Sequence, residues 1–195
     1  MSIKDRPQHK NIPAQRATDT TTATPVAGRI AAVVRIVLGL TFGWAFVDKL
    51  FGLGYATTTE RAWINGGSPT KGFLSGVDVG PFDTAFHTIA GTGWANWLFM
   101  LGLAGVGIAV TLGIGLRLSA IAGSVMMLLM WLAEFPLDRF TTAGEPSMST
   151  NPIIDYHIIY AIALVVAALT YAGNTWGLGK QWAALPIVAR QHWLI

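Results

Sequence analysis

Apolar residues in this chain gather into four long runs, Ile30 to Phe51, Trp94 to Leu116, Leu118 to Phe135 and Ile153 to Ala172. Each is close to the roughly 20 residues of helix that cross a bilayer. Lipid offers the backbone no hydrogen-bond partners, so each run must satisfy itself as a helix, and four such helices pack most simply as one up-down bundle. The pattern predicts an all-α polytopic membrane protein with four transmembrane helices.

The breaks between runs refine this reading. Only Gly113, Ile114, Gly115, Leu116 and Arg117 separate the second run from the third. A single helix through both would be about twice the bilayer thickness, so the glycines mark a tight antiparallel hairpin. Pro136 predicts that the third helix stops near Glu134 or Phe135, because proline disfavours helix before it and lacks a donor. Asn151 as N-cap and Pro152 as first helical residue predict the start of the fourth, and Gly173-Asn174 its left-handed stop. The membrane domain then spans residues 29–182, with outer loops at 52–93 and 136–152. The longer loop is punctuated by Gly66-Gly67-Ser68-Pro69 and Gly80-Pro81, and a short interfacial helix is expected from Asp83 to Ala90, with Phe82, Phe86 and Ile89 on one side. A loop of this length is expected to be functional. Residues 1–28 are polar and Thr-rich, lack the apolar core of a cleavable signal, and read as a disordered cytoplasmic tail. Residues 183–195 form a second cytoplasmic tail.

Composition agrees with lipid burial: 52% hydrophobic, 12% charged, 22 Gly and 8 Trp in 195 residues. Small residues let membrane helices approach closely, and tryptophan concentrates at the headgroup layers. The absence of cysteine excludes disulfides, cysteine-ligated metals and thiol chemistry by this chain. Its net charge of +3 is spread over tails and loops with no aromatic-basic platform, which argues against nucleic-acid binding.

Basic residues also set the expected orientation. Lys4, Arg6, Lys10, Arg16 and Arg29 precede the first run, Arg117 lies in the hairpin, and Lys180 and Arg190 follow the last. The long connections hold only Arg61, Lys71 and Arg139 against five acidic residues. Positive residues stay cytoplasmic, so both termini should lie there and both long loops outside.

Ionisable groups at the lips of the runs carry the candidate chemistry, because burying charge in hydrocarbon costs several kcal/mol unless it is paired or hydrated. At the cytoplasmic lip, Arg35 and Arg117 suit anchoring or capping of neighbouring helix ends. At the outer lip lie Asp48, Lys49, Glu134, Asp138, Arg139, Asp155 and His157. Structural readings compete: Asp155 in a first turn and Lys49 in a last turn are favoured by the helix dipole alone. His157 titrates near neutral pH and can pass protons, or can simply bond a neighbouring helix. Asp155 and His157 are two positions apart, about 200° around a regular helix, so they should not share a face unless the first turn is distorted. Met126, Met130 and Glu134 form one stripe, with Met127 and Trp131 beside it, a pattern that usually means packing.

Several segments together resemble the DoxX/DoxD family of four-helix membrane proteins. They are Arg35, Gly39 and Lys49 in the first run, Gly66-Gly67-Ser68-Pro69-Thr70-Lys71-Gly72-Phe73-Leu74, and Gly107, Gly113 and Arg117 with Leu118-Ser119-Ala120. Asn151-Pro152-Ile153-Ile154-Asp155-Tyr156-His157 and Ala172-Gly173-Asn174-Thr175-Trp176-Gly177-Leu178 complete the set. The likeness covers about residues 29–182 and is nearest to the branch named for the DoxD-type small subunit of thiosulfate:quinone oxidoreductase. Leu103 stands where the broader pattern often has an acidic residue before the second-run glycine.

The resemblance implies an integral subunit of the bacterial plasma membrane that passes electrons from a reduced sulfur compound such as thiosulfate to quinone, together with a second redox subunit. Trp44, Met130, Trp131 and Tyr160 are then the candidate quinone slot, and Glu134, Asp155 and His157 the candidate proton donors. Lys49 and Arg139, helped by Arg61 or Lys71, would hold the thiosulfate dianion. No flavin, haem or metal motif is evident, and bis-histidine haem is disfavoured because only His157 lies near a run. In other branches such proteins accompany soluble oxidant-defence enzymes, so a non-catalytic anchor or scaffold is the alternative. A transporter or channel is disfavoured because the centres of the last three runs offer little polarity beyond Gly, Ser124 and Thr111, unless the chain forms a homo-oligomer.

Overall fold

A computed structural model describes residues 25–78, 80–141, 143–147 and 149–195. The tail expected at 1–28 therefore lies mostly outside the described residues, and its last part already belongs to α1 (Pro25–Phe51). The other long helices are α4 (Gly93–Leu112), α5 (Leu116–Glu134) and α6 (Tyr156–Leu169). Short helices α2 (Lys71–Leu74) and α3 (Asp83–Ile89) lie in the long loop, and α7 (Gly179–Ala183) and α8 (Pro186–Ala189) follow α6. Among the described residues there is no strand, only an isolated bridge between Phe140 and Pro146.

Three helices, α1, α4 and α5, are long and apolar enough to cross a membrane, whereas α6 has 14 residues and falls short of that length. Helix α1 packs most extensively on α4 and α5 on α6, and the α4–α5 and α1–α6 contacts close the ring. Leu38, Phe42, Met100, Leu103, Val106, Val110, Met127 and Leu164 fill its interior, while Val37, Leu101, Ile108, Ile121 and Ile162 point outward. Apolar side chains inside and outside alike are what lipid solvation of the outer surface requires.

Small residues set the helix spacing. A Cβ on Gly107 would stand 2.6 Å from the Gly43 nitrogen, and one on Gly39 would stand 2.5 Å from the Thr111 nitrogen. Helix α1 can approach α4 this closely only because both positions lack a side chain. The predicted hairpin forms at Gly113 and Gly115, both left-handed, and α5 ends at Glu134 ahead of Pro136 as expected.

Both boundaries of the fourth helix differ from the sequence reading. Asn151 does not cap it: its Oδ1 accepts from the Ile153 and Ile154 amides, 2.9 Å each, in a local turn. In a helix begun at Pro152, the His157 amide would bond the Ile153 carbonyl. That carbonyl instead accepts from Trp131 Nε1 at 2.8 Å, and the His157 amide donates to Asp155 Oδ1 at 3.0 Å, so the helix starts at Tyr156. At the other end the left-handed residue is Tyr171 (φ 50°), not Gly173. Gly173 serves close approach, since a Cβ there would lie 2.2 Å from the Gly113 carbonyl oxygen.

At the hairpin end of the bundle, Arg35 is fully buried. Its guanidinium donates to the Val110 carbonyl (2.6 Å), the Thr111 carbonyl and the Trp176 carbonyl (2.9 Å). It thus caps the C-terminal carbonyls of α4, the capping role open to it from sequence. Arg117 donates to the Tyr171 hydroxyl at 3.2 Å.

Candidate functional site

Since α5 begins at the hairpin, its last residue, Glu134, lies at the opposite end of the bundle from Arg35, beside the start of α6. Asp155 is extended (φ −120°, ψ −171°) and outside the helix, so its carboxylate turns back over the first turn. Oδ1 accepts from the amides of His157 and Ile158, and Oδ2 lies 2.6 Å from His157 Nδ1. A separation of about 200° applies only where both residues are helical. An N-cap is not, and one carboxylate therefore caps the helix and pairs with its second residue.

His157 is 1% exposed, and its Nδ1 also faces Glu134 Oε2 at 3.8 Å. The ring stacks on Tyr156, with centroids 4.0 Å apart. Its Nε2 is buried and has no hydrogen-bond partner among the described residues, as is also true of Arg35 Nε at the other end of the bundle. Burying an imidazole nitrogen unpartnered is unfavourable by about 1–3 kcal/mol, so Nε2 is a position where a ligand atom would be stabilised. The donor atoms of Glu134, Asp155 and His157 lie within 4.8 Å of one another, the one such trio able to share a metal ion among the described residues. The 2.6 Å separation of Nδ1 and Oδ2 fits a shared proton rather than an intervening cation.

Glu134 and Asp155 also line a cavity of about 850 Å³ between the start of α6, described residues on either side of Phe140 and of Thr150, and the loop around α2. Asp78 and Asp138 are further acidic residues of its lining, and Phe73, Phe140 and Tyr156 are aromatic ones. No described residue lining it is Lys, Arg or His.

The remaining candidates scatter. Lys49 is half-buried with Nζ 5.9 Å from the centre of the Phe99 ring, Arg139 is exposed, and neither lines the cavity. Trp44 is exposed and meets Tyr55 edge-on at 5.2 Å, Trp131 bonds Ile153 and packs on Phe135, and Tyr160 packs on Phe42 and Tyr156. Met130 packs against the core, as do Met126 and Met127. Among the described residues no ring contact joins Trp44, Trp131 and Tyr160 to one another. Asp48, also buried, accepts from the Tyr55 and Ala56 amides and shapes the loop after α1.

Sequence reasoning missed two contributors. Tyr156 had no signal beyond its place before His157. Asn96 accepts from the Ser68 hydroxyl and from the Thr70 amide and hydroxyl, latching the Gly66-to-Phe73 segment to α4; a polar residue one turn into an apolar helix was the available clue.

Comparison with the models of known protein families, with curated proteins and with solved structures finds no match to this chain.

Proposed function

We propose that this chain is a DoxX/DoxD-like integral subunit of a redox system in the bacterial plasma membrane, with four crossings, both termini cytoplasmic and its site at the outer end. In this reading His157 exchanges protons with a membrane quinone, and electrons come from a second subunit that oxidises a reduced sulfur compound. The observation that carries the reading is the state of His157. One ring nitrogen is held by Asp155 and faces Glu134, both of which border the cavity of about 850 Å³, and the other is buried without a partner among the described residues. An imidazole oriented by a carboxylate on one side and free on the other is the arrangement that general acid–base chemistry uses. Asp155 holds the proton on Nδ1, which leaves Nε2 to accept from a quinol hydroxyl or, in the imidazolium, to donate to a quinone oxygen.

The acidic lining speaks against seating thiosulfate in this cavity, so the sulfur donor is assigned to the partner. The Asn96 latch favours a second reading, an anchor or scaffold, because it gives the loop a fixed shape on which a soluble enzyme can dock. The two readings separate in purified protein in native lipid. Co-purifying quinone, with thiosulfate-dependent quinone reduction in the presence of the partner, supports the redox reading. Absence of both with an intact fold overturns it in favour of the anchor.

A further inference from the structure

Charge is divided between the two ends of this molecule. Every described Asp and Glu lies within residues 48–83 or 134–155, the segments toward the end of the bundle that holds Glu134. Besides buried Arg35, the hairpin end carries Arg29, Arg117, Lys180 and Arg190 and, among the described residues, no acidic side chain. Residues 176–195 fold across this end. The Leu178 amide donates to the Leu112 carbonyl at 2.8 Å, the Trp182 ring would stand 3.6 Å from a Cβ on Gly115, and its Nε1 donates to the Leu194 carbonyl at 3.0 Å. Near the start of α1, a Cβ on Gly28 would stand 3.2 Å from the Thr175 hydroxyl oxygen. Helix α4 ends at Leu112 and α5 begins at Leu116, so the segment sits where two helices long enough to cross a membrane come to an end. Trp176, Leu178, Leu185, Ile187 and Trp193 are exposed on it, together with the cations Lys180 and Arg190.

We propose that this end is a lipid-docking surface: residues 176–195 lie in the headgroup layer, with apolar side chains reaching the acyl chains and Lys180 and Arg190 taking the phosphates of anionic phospholipids. Tryptophan and aliphatic side chains interleaved with cations suit that layer, since ring or chain enters hydrocarbon while the charge stays with the headgroups. A surface with cations and no carboxylate draws anionic lipid in preference to zwitterionic lipid, by roughly fivefold for each Lys or Arg close to it. Charge and place together select this occupant, because a bilayer around α1, α4 and α5 already reaches the level of the segment, and a soluble partner would have to displace it. The surface lies at the end opposite His157 and does not depend on the redox reading.

The chain has no cysteine, so Ile187→Cys gives a single site for a bimane label, and Ile64→Cys in the loop after α1 gives an exposed apolar reference at the acidic end. The labelled full chain is placed in nanodiscs of one fixed mixture of phosphatidylglycerol and phosphatidylcholine, with one or the other lipid brominated on an acyl chain. Both brominated lipids should quench the label at position 187, phosphatidylglycerol at least about twice as strongly, and no such preference is expected at position 64. Lys180→Gln with Arg190→Gln should remove most of the preference while quenching by phosphatidylcholine persists, and Lys180→Arg with Arg190→Lys should retain it. Absence of quenching by either lipid at position 187 would mean that water or a protein covers this end, and overturns the proposal. Equal quenching by the two lipids, or a preference unchanged in the Gln pair, overturns it as well. Failure of quinone reduction would leave the quenching pattern as it is, so this proposal and the redox reading fail separately.

Discussion

Arg35 and His157 are both ionisable and both buried, at opposite ends of one bundle, yet their surroundings differ in kind. Among the described residues Arg35 has no carboxylate partner; its terminal nitrogens donate to three backbone carbonyls, its buried Nε is left without a partner, and Gly113 and Gly177 pack so tightly that a Cβ on either would lie 3.1 Å from its terminal nitrogens. His157 has two carboxylates, an empty nitrogen and a cavity beyond them. Intramembrane charge alone therefore does not mark a working site. Each keeps one buried nitrogen without a partner among the described residues, so the distinction lies in what surrounds the group: helix-end carbonyls and packed glycine at Arg35, carboxylates that border a cavity at His157.

That contrast breaks first at Arg35. Arg35→Met leaves the α4 carbonyls buried and unpaired, and is expected to destabilise the protein by at least about 3 kcal/mol, seen as a large fall in unfolding temperature in detergent. A near-normal melt would remove the structural assignment. At the other end, His157→Asn is expected to lower partner-dependent quinone turnover by about 100-fold, with the unfolding temperature shifted by only a few degrees. Equal losses of fold and turnover would place His157 in the same class as Arg35.

Glycine substitutions sharpen the packing side. Gly107→Ala, whose Cβ meets the Gly43 backbone, should cost about 1–3 kcal/mol. Gly105→Ala, with nothing within 4 Å, should leave the melt unchanged. The smallest effect separates the two jobs of Asp155. Asp155→Ala removes the cap and should cost about 1 kcal/mol, whereas Asp155→Asn retains it. If Asn nonetheless lowers turnover, the carboxylate's pairing with His157 matters apart from capping.

The long helices were legible because their signals are local. Apolar runs set α1, α4 and α5, Gly113 and Gly115 set the hairpin, and Pro136 set the end of α5. The fourth helix was misread because its start is decided across the bundle: Trp131, twenty-odd positions earlier, takes the Ile153 carbonyl that a longer helix would have needed. Moving that start put Asp155 in the cap and brought it onto His157, a pair that helical geometry had ruled out. The outer-lip cluster was half legible for the same reason. Glu134, Asp155 and His157 converge as the chain order suggested, but Lys49 and Trp44 turn toward neighbours that no spacing rule reveals, and Arg139 is exposed.

Helix α6 rises only about 21 Å at 1.5 Å per residue, against about 40 Å for α1. In the proposed four-crossing arrangement, lipid beside α6 would face a lower apolar wall than lipid beside α1. The bilayer there must thin, or the protein must tilt, each at a modest cost per ångström of mismatch. A thinned leaflet would bring headgroups and water down toward Tyr156, and the protein should partition into thinner bilayers in preference to thick, sterol-stiffened ones.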